Sequence, residues 1–297
     1  MRPRPRDPGR VSVAGALTLA ILLVLPFVLG FVVGWFFLNP PQEEQFSPVG
    51  SEAHELLNSF PDASVTVEIA APSGDAPPAS AVELLWARMN ETLQKSSIHF
   101  VEETYTSGQS RFTTTDLWTL ERSVRTTWPA PGSMSLFYLF VPGGYGPDAS
   151  VIGLAYYGSS IAVFPATIAS AAGGTSAAVI ATVMIHEFGH ELGLVGIIGS
   201  APNEDPNHPY HSSDPNDVMY WAVDTTQILA GLLGGGPPTQ FDAQDLQDLS
   251  TVRNTVILQE VLPWAVLAVL LGSAVGVVVD LRRRRHRASP APAPPAT

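Results

Sequence analysis

The chain contains no cysteine among its 297 residues. Disulfides are therefore excluded, and no cysteine thiol from a pro-segment could block a metal site. A folded region must consequently be stabilised by its own hydrophobic core. The middle of the chain, roughly 220 residues long, is large enough to bury one.

Basic residues are scarce between Asn39 and Leu258. This region contains 24 acidic and six basic residues, so its formal charge is near -18. Such a balance excludes binding to nucleic acid by bulk electrostatics, so no nucleic-acid partner is expected. Nine of the 15 basic residues lie instead in two short flanks. These are Arg2, Arg4, Arg6 and Arg10 near the start, and Arg282, Arg283, Arg284, Arg285 and Arg287 near the end.

Two long segments lack charge, Val11 to Leu38 with 28 residues and Val261 to Val279 with 19. At ~1.5 Å per helical residue, each can cross a hydrocarbon core of ~30 Å. The arginine flanks then predict a multi-pass protein of the cell membrane with both termini cytoplasmic and the middle extracytoplasmic. A cleaved signal peptide is the alternative for the first segment, and a buried core helix for the second.

The sequence HEFGHELG, from His186 to Gly193, contains the spacing of a metal-binding helix. On a helix, His186 and His190 share one face, so both imidazoles can bind one metal ion. Glu187 is placed to take a proton from water activated by that metal. The apolar, alanine-rich run from Thr175 to Ile185 predicts a buried helix that carries the motif.

Two further features accompany this motif. Gly193 stands three residues after His190, and the sequence DVMYW follows at 217–221 with Met219 at its centre. Together they resemble the metzincin clan of zinc metalloproteases, in which a glycine turns the chain out of the helix and a methionine lies beneath the metal. The wider string HEFGHELGLVG…HPYHSSDPNDVMYW resembles a membrane-associated prokaryotic group of that clan. The resemblance implies one catalytic Zn²⁺ and a peptide or protein substrate.

The third zinc ligand departs from the metzincin pattern. That pattern places it three residues after the glycine, where this chain has Gly196, which has no side chain. We predict His211, eight residues before Met219, as the third ligand, with His208 as the alternative. Weaker candidates are the carboxylates of Asp214, Asp217 and Glu204.

The hydrophobic pattern predicts strands at 64–70, 98–106, 134–142, 151–157 and 160–165, with an amphipathic helix at 80–95. The third strand should be central, and by the metzincin resemblance the strand at 151–157 should form the sheet edge above the cleft. The expected class is α+β: a metzincin-like catalytic domain with a mixed twisted sheet, an active-site helix and a smaller C-terminal subdomain, flanked by two transmembrane helices. The predicted boundaries are a cytoplasmic flank (1–10), a span (11–38), a stalk (39–61), the protease domain (62–256), a second span (257–281) and a cytoplasmic, disordered tail (282–297).

The predicted function is that of a membrane-anchored zinc-dependent endopeptidase with Glu187 as general base. Tyr220 or Tyr210 could donate to the oxyanion, and Ile228, Leu229, Leu232 and Leu233 could wall a substrate pocket. The alternative is a catalytically inactive metzincin-like membrane protein that binds peptides. A structural membrane protein with an accidental motif also stays open, whereas an intramembrane protease is disfavoured because the motif lies about 70 residues from the nearer span.

Overall fold

The computed structural model describes residues 47–172, 176–199, 201–227 and 236–287, without the side chains of 172, 254–265 and 284–287. The chain divides into one compact unit from Gln42 to Ile257, and a second unit that combines Met1–Pro41 with Leu258–Thr297. The first unit contains the sheet and the motif.

In chain order the described elements are α1 (Ala53–Leu57), β1 (Ser64–Pro72), α2 (Ala79–Thr92), β2 (Ser97–Tyr105), β3 (Arg111–Phe112), α3 (Thr114–Val124), β4 (Ser133–Phe140), β5 (Gly144–Tyr145), β6 (Gly153–Tyr157), β7 (Ser160–Val163), α4 (Pro165–Ala172), α5 (Ala177–Glu191), β8 (Glu204–Asp205), β9 (His208–Ser212) and α6 (Ala243–Arg287). Five strands form the main sheet in the order β2-β1-β4-β7-β6. Neighbours from β2 to β7 are parallel, and β6 is antiparallel to β7. The fold is therefore mixed α/β with a predominantly parallel sheet.

Strand β4 lies at the centre of this sheet, as its continuous apolar sequence predicted. Leu136, Tyr138 and Phe140 join the core that α2 and α5 cover, whereas Phe137 and Leu139 join a second core with Phe112 and Leu117. A strand buried on both faces has no polar side to alternate with, which explains the apolar run. The edge position predicted for residues 151–157 is also confirmed, since β6 ends the sheet.

Two large apolar side chains on helices of the folded unit are exposed. Trp86 of α2 is 47% exposed and Leu246 of α6 is 51% exposed. On α6, Asp245 and Asp248 are buried instead. Asp248 accepts a hydrogen bond from the Val195 backbone N–H at 2.8 Å, so its carboxylate is partnered and tolerates burial.

The segment predicted as a stalk differs in its described part. From residue 47 onward it belongs to the folded unit, and Ala53, Leu56 and Leu57 of α1 are fully buried in the main core. Lys95 donates to the carbonyl oxygens of Asn58 (2.7 Å) and Asp62 (2.6 Å), which fixes the chain after α1. The apolar pair Leu56–Leu57 is what drives this segment into the core rather than into solvent.

Of the two predicted membrane spans, only the second lies within the described residues. The first, Val11 to Leu38, lies outside the described residues, as do the tail from 288 and residues 228–235. Helix α6 runs through the second, Val261 to Val279. Within the described part of the chain, no helix combines the length and apolar character that crossing a membrane requires.

Candidate metal centre

Helix α5 carries the HExxH motif inside the protein. From Val179 to Glu191 every residue of the helix is buried, including His186 (0% exposed), Glu187 (1%) and His190 (7%). The helix ends at Glu191, and Gly193 adopts a φ of 75°, a left-handed conformation that favours glycine. The predicted turn of the chain at Gly193 is therefore confirmed.

Gly196, the residue in the usual position of the third ligand, has a conformational role. Its φ is 84°, and a Cβ at this position would lie only 2.8 Å from Oε2 of Glu204. The other oxygen of Glu204, Oε1, accepts a hydrogen bond from the backbone N–H of Tyr210 at 2.9 Å. Glu204, predicted as a weak ligand candidate, thus holds the loop that leads into His211.

Three imidazoles meet at one point. Nitrogen atoms of His186, His190 and His211 all lie within 4.8 Å of one another, and the Nε2 atoms of His186 and His190 are 3.1 Å apart. A tetrahedral zinc ion with ligands at ~2.0–2.1 Å needs nitrogen atoms ~3.3 Å apart, so this pair is close to the required spacing.

Backbone carbonyls orient two of these rings. Nδ1 of His186 lies 2.7 Å from the carbonyl oxygen of Val218, and Nδ1 of His211 lies 2.9 Å from that of Pro209. When Nδ1–H donates to a carbonyl, the lone pair belongs to Nε2, which is then free to bind a metal. The donor set therefore fits zinc.

Burial favours the neutral form of two rings, His186 and His190. It lowers the pKa of His186 to about 3, aided by the neighbouring His211, and it lowers the pKa of His190 well below its usual range. Nδ1 of His190 and Nε2 of His211 are buried without a hydrogen-bond partner among the described residues. Neutral imidazoles with unused lone pairs are what a zinc site requires.

Glu187 lies against the edge strand. Its Oε2 accepts a hydrogen bond from the Ala155 N–H at 2.7 Å, whereas its Oε1 is buried without a partner among the described residues. Burial, reinforced by the charge of Asp224, raises the pKa of Glu187 well above its usual range. A Cβ on Gly153 would stand 2.4 Å from that Oε1, so β6 can approach only because this residue is glycine. In the sequence, Gly153 within a predicted strand was the one sign of this contact, because a glycine in a strand often marks the close approach of another group.

Met219 packs against the middle of the motif. It is fully buried, and a Cβ on Gly189 would lie 2.2 Å from its sulfur atom. Gly189 lies between the two histidines of the helix, so the thioether occupies space beside both. We refer to residues 217–221, which carry Met219, as the Met-turn. The role of Gly189 was not predicted.

A cleft of about 510 Å³ opens beside these residues. It is lined by Pro48, Val49, Gly153, Leu154, Ala155, Glu187, His190, Ile197, Tyr210, His211 and Asp224. Tyr210 belongs to this lining and Tyr220 does not. Asp224, which no sequence motif indicated, places Oδ2 3.6 Å from Nε2 of His211.

The other ligand candidates have different partners. The ring of His208 stacks on Trp221 with centroids 4.1 Å apart, and Asp214 accepts hydrogen bonds from Asn216. Neither belongs to the histidine group. The predicted pocket wall at Ile228, Leu229, Leu232 and Leu233 lies outside the described residues.

No protein-family model and no curated protein sequence matches this chain. Among solved structures, it is similar to archaemetzincin from Methanopyrus kandleri, with 14% sequence identity and a TM-score of 0.43. The match covers 64% of this chain and 95% of that one.

Proposed function

We propose that this protein is a zinc-dependent endopeptidase in which His186, His190 and His211 hold one Zn²⁺ and Glu187 is the general base. The observation that carries the proposal is the convergence of three imidazoles within 4.8 Å beside a buried carboxylate. Three protein ligands with an open fourth position are the arrangement of catalytic rather than structural zinc.

The residues divide the chemistry between them. When bound, zinc supplies Lewis-acid activation of water and of the scissile carbonyl group. Glu187 takes a proton from the attacking water and transfers it to the leaving nitrogen, and its Oε1 has no hydrogen-bond partner among the described residues and can accept that proton. Tyr210 lines the cleft and is the better placed of the two tyrosines to donate to the oxyanion.

Substrate binding is proposed at the edge of the sheet. Leu154 and Ala155 of β6 line the cleft, and β6 has no neighbouring strand on its outer side within the described sheet. An extended peptide can pair with such an edge through main-chain hydrogen bonds. The Ala155 N–H is held by Glu187 in this structure, so a peptide that paired there would also release the carboxylate.

We further propose that the enzyme is anchored in the cell membrane with both termini cytoplasmic and the catalytic unit outside. The support comes from the sequence: two uncharged segments, each flanked on its terminal side by arginines. The strongly acidic middle of the chain fits a position away from anionic lipid headgroups.

The competing function is a metal-bound, inactive protein that captures peptides. Glu187 distinguishes the two functions, because a protein that only binds peptides does not need a carboxylate beside the metal ligands and the edge strand. Burial disfavours the ionised form of Glu187, and carboxylates in such unfavourable surroundings are typical of catalytic sites.

The test compares the zinc-loaded full chain with its Glu187→Gln variant on unfolded protein and on fluorogenic peptides. We expect the variant to keep its zinc and to lose at least ~100-fold in rate, the lower range for a general base. Glu83→Gln, at an exposed position of α2, is the matched control and should cleave like the parent. Equal rates for parent and Glu187→Gln would remove Glu187 as the base. Zinc-dependent peptide binding without cleavage by the parent would support the alternative.

A further inference from the structure

A second cluster of ligating side chains lies next to the Met-turn in sequence. Carboxylate oxygens of Asp217, Asp242 and Asp245 all lie within 4.8 Å of one another. Asp217 is 1% exposed and Asp245 is fully buried, while Asp242 is half-buried. The cluster therefore combines two interior carboxylates with a third that remains accessible from solvent.

The hydrogen bonds of this cluster leave two oxygens unused. Oδ1 of Asp217 accepts from the Met219 N–H at 2.9 Å, and Oδ2 of Asp245 accepts from the Asp242 N–H at 3.3 Å. Oδ2 of Asp217 and Oδ1 of Asp245 are buried and have no hydrogen-bond partner among the described residues. Asp217 and Asp245 thus each have one oxygen fixed by a backbone N–H and one oxygen without a hydrogen-bond partner among the described residues.

Three carboxylates at this spacing cannot all stay ionised and unpaired. Burial and mutual repulsion both disfavour the charged forms, so the cluster must take up either a proton or a cation. Burial, followed by the charge of Asp217, raises the pKa of Asp245 to about 9, which shows how unfavourable the bare anion is. A donor set of oxygens alone suits a hard cation, and the flexible six- to eightfold coordination of calcium can be completed by water at the half-buried Asp242.

We propose that Asp217, Asp242 and Asp245 form a second cation site, which binds calcium and ties the Met-turn to the start of α6. Asp217 contributes from the turn, whereas Asp242 and Asp245 contribute from the residue before α6 and from its first turn. The proposal concerns residues outside the histidine group and holds whether or not that group is catalytic.

The position of the site gives the cation a structural effect on the histidines. Val218, directly after Asp217, provides the carbonyl that orients His186, and Met219 packs against Gly189 of α5. A cation that fixes Asp217 therefore fixes the backbone on which both contacts depend. Calcium is expected to stabilise the zinc-binding geometry without touching zinc.

The experiment titrates calcium into the zinc-loaded full chain, with calorimetry for binding and Tm for stability. The parent should bind one calcium ion saturably, and its Tm should rise with calcium concentration. Asp245→Asn and Asp242→Asn should each weaken calcium binding about tenfold or more. In calcium-free buffer Asp245→Asn should have a Tm equal to or above that of the parent, because a neutral amide needs neither a proton nor a cation at this buried position.

Two control variants test whether calcium binds at the aspartate cluster. Asp75→Asn changes an exposed aspartate distant in sequence from the cluster and should leave calcium binding unchanged. His190→Ala should lower zinc binding but keep the calcium isotherm, which separates this site from the histidine group. Should Asp245→Asn fail to fold, Asp242→Asn carries the test, since asparagine caps a helix about as well as aspartate.

Two results would overturn the proposal. One is calcium binding by both aspartate variants that equals binding by the parent. The other is a parent that shows no saturable calcium binding up to about 10 mM, above the weakest common calcium sites. In a parent without calcium binding, the carboxyl groups would share a proton instead of a cation.

Discussion

At the scale of single residues, His211 and His208 are the two candidates for the proposed third zinc ligand. Among the described residues, the buried Nε2 of His211 has no hydrogen-bond partner, while His208 stacks on Trp221 and lies 3.4 Å from a carboxylate oxygen of Asp205. The two histidines stand three residues apart in the same strand, and Pro209 and Tyr210 separate them. They provide a matched pair for mutation.

We expect His211→Ala to weaken zinc binding by roughly a hundredfold or more and to abolish activity, because the metal loses a direct ligand. His208→Ala should change zinc affinity little, since it removes only a stacked ring. Zinc affinity measured by competition with a chromogenic chelator distinguishes the two. The reverse pattern would assign the ligand to His208, and unchanged affinity in both would point to a carboxylate.

Gly189 provides a second residue-scale prediction. A methyl group there would meet the sulfur of Met219 at 2.2 Å, so Gly189→Ala must displace the Met-turn. We expect a loss of about 1–3 kcal/mol in unfolding free energy, together with weaker zinc binding. Chemical denaturation measures the first effect.

Two variants test the cause of that loss. Gly108→Ala, where a Cβ would meet nothing within 4 Å, should be nearly neutral. Adding Met219→Ala to Gly189→Ala should recover part of the stability, because the clashing atom is gone. No recovery would show that the contact with Met219 is not what makes Gly189 necessary.

At the scale of elements, a buried ion pair joins α3 to the strands beside the cleft. Arg125 and Glu121 are bonded at 2.7 Å, and Glu121 also accepts from Tyr156 of β6 (2.6 Å) and Ser160 of β7 (2.8 Å). Arg125 further donates to Ser135 of β4 at 3.1 Å. One ion pair thereby holds three strands and a helix together.

Arg125→Met should destabilise the protein by about 3–5 kcal/mol, because it leaves the buried carboxylate of Glu121 unpaired. Denaturant-induced unfolding is the measurement. Arg122→Met, three residues earlier on the exposed side, is the control and should stay within about 0.5 kcal/mol of the parent. A small loss for Arg125→Met would mean that Tyr156 and Ser160 alone satisfy Glu121.

The elements also show where hydrophobic pattern succeeds and fails. The pattern located β1, β2, β4 and the β6–β7 pair, because alternating or continuous apolar residues directly report burial on a sheet. It does not describe the start of α6, where Asp245 and Asp248 are buried and Leu246 is exposed. Pattern cannot identify a buried carboxylate, since its burial depends on partners that come from other segments.

At the scale of the whole molecule, the arginine flanks predict the topology. A protease added outside intact cells should digest the middle of the chain and spare tags at both termini, because both flanks are expected in the cytoplasm. Immunoblots for the two tags measure this, and permeabilised cells are the control in which both tags should disappear. Protection of the middle would contradict the proposed topology, and an N-terminus found after about residue 38 would identify a cleaved signal peptide.

By itself, the sequence determined what depends on short distances along the chain. His186, Glu187 and His190 share a helix face because of their spacing, Gly193 ends that helix, and apolar runs became strands. Tertiary structure alone decided the rest: that His211 reaches the histidines, that Gly153 makes room for Glu187, and that Asp217 meets Asp245. These contacts join residues about 20 to 35 positions apart, whose meeting depends on loop paths and packing that no local pattern encodes.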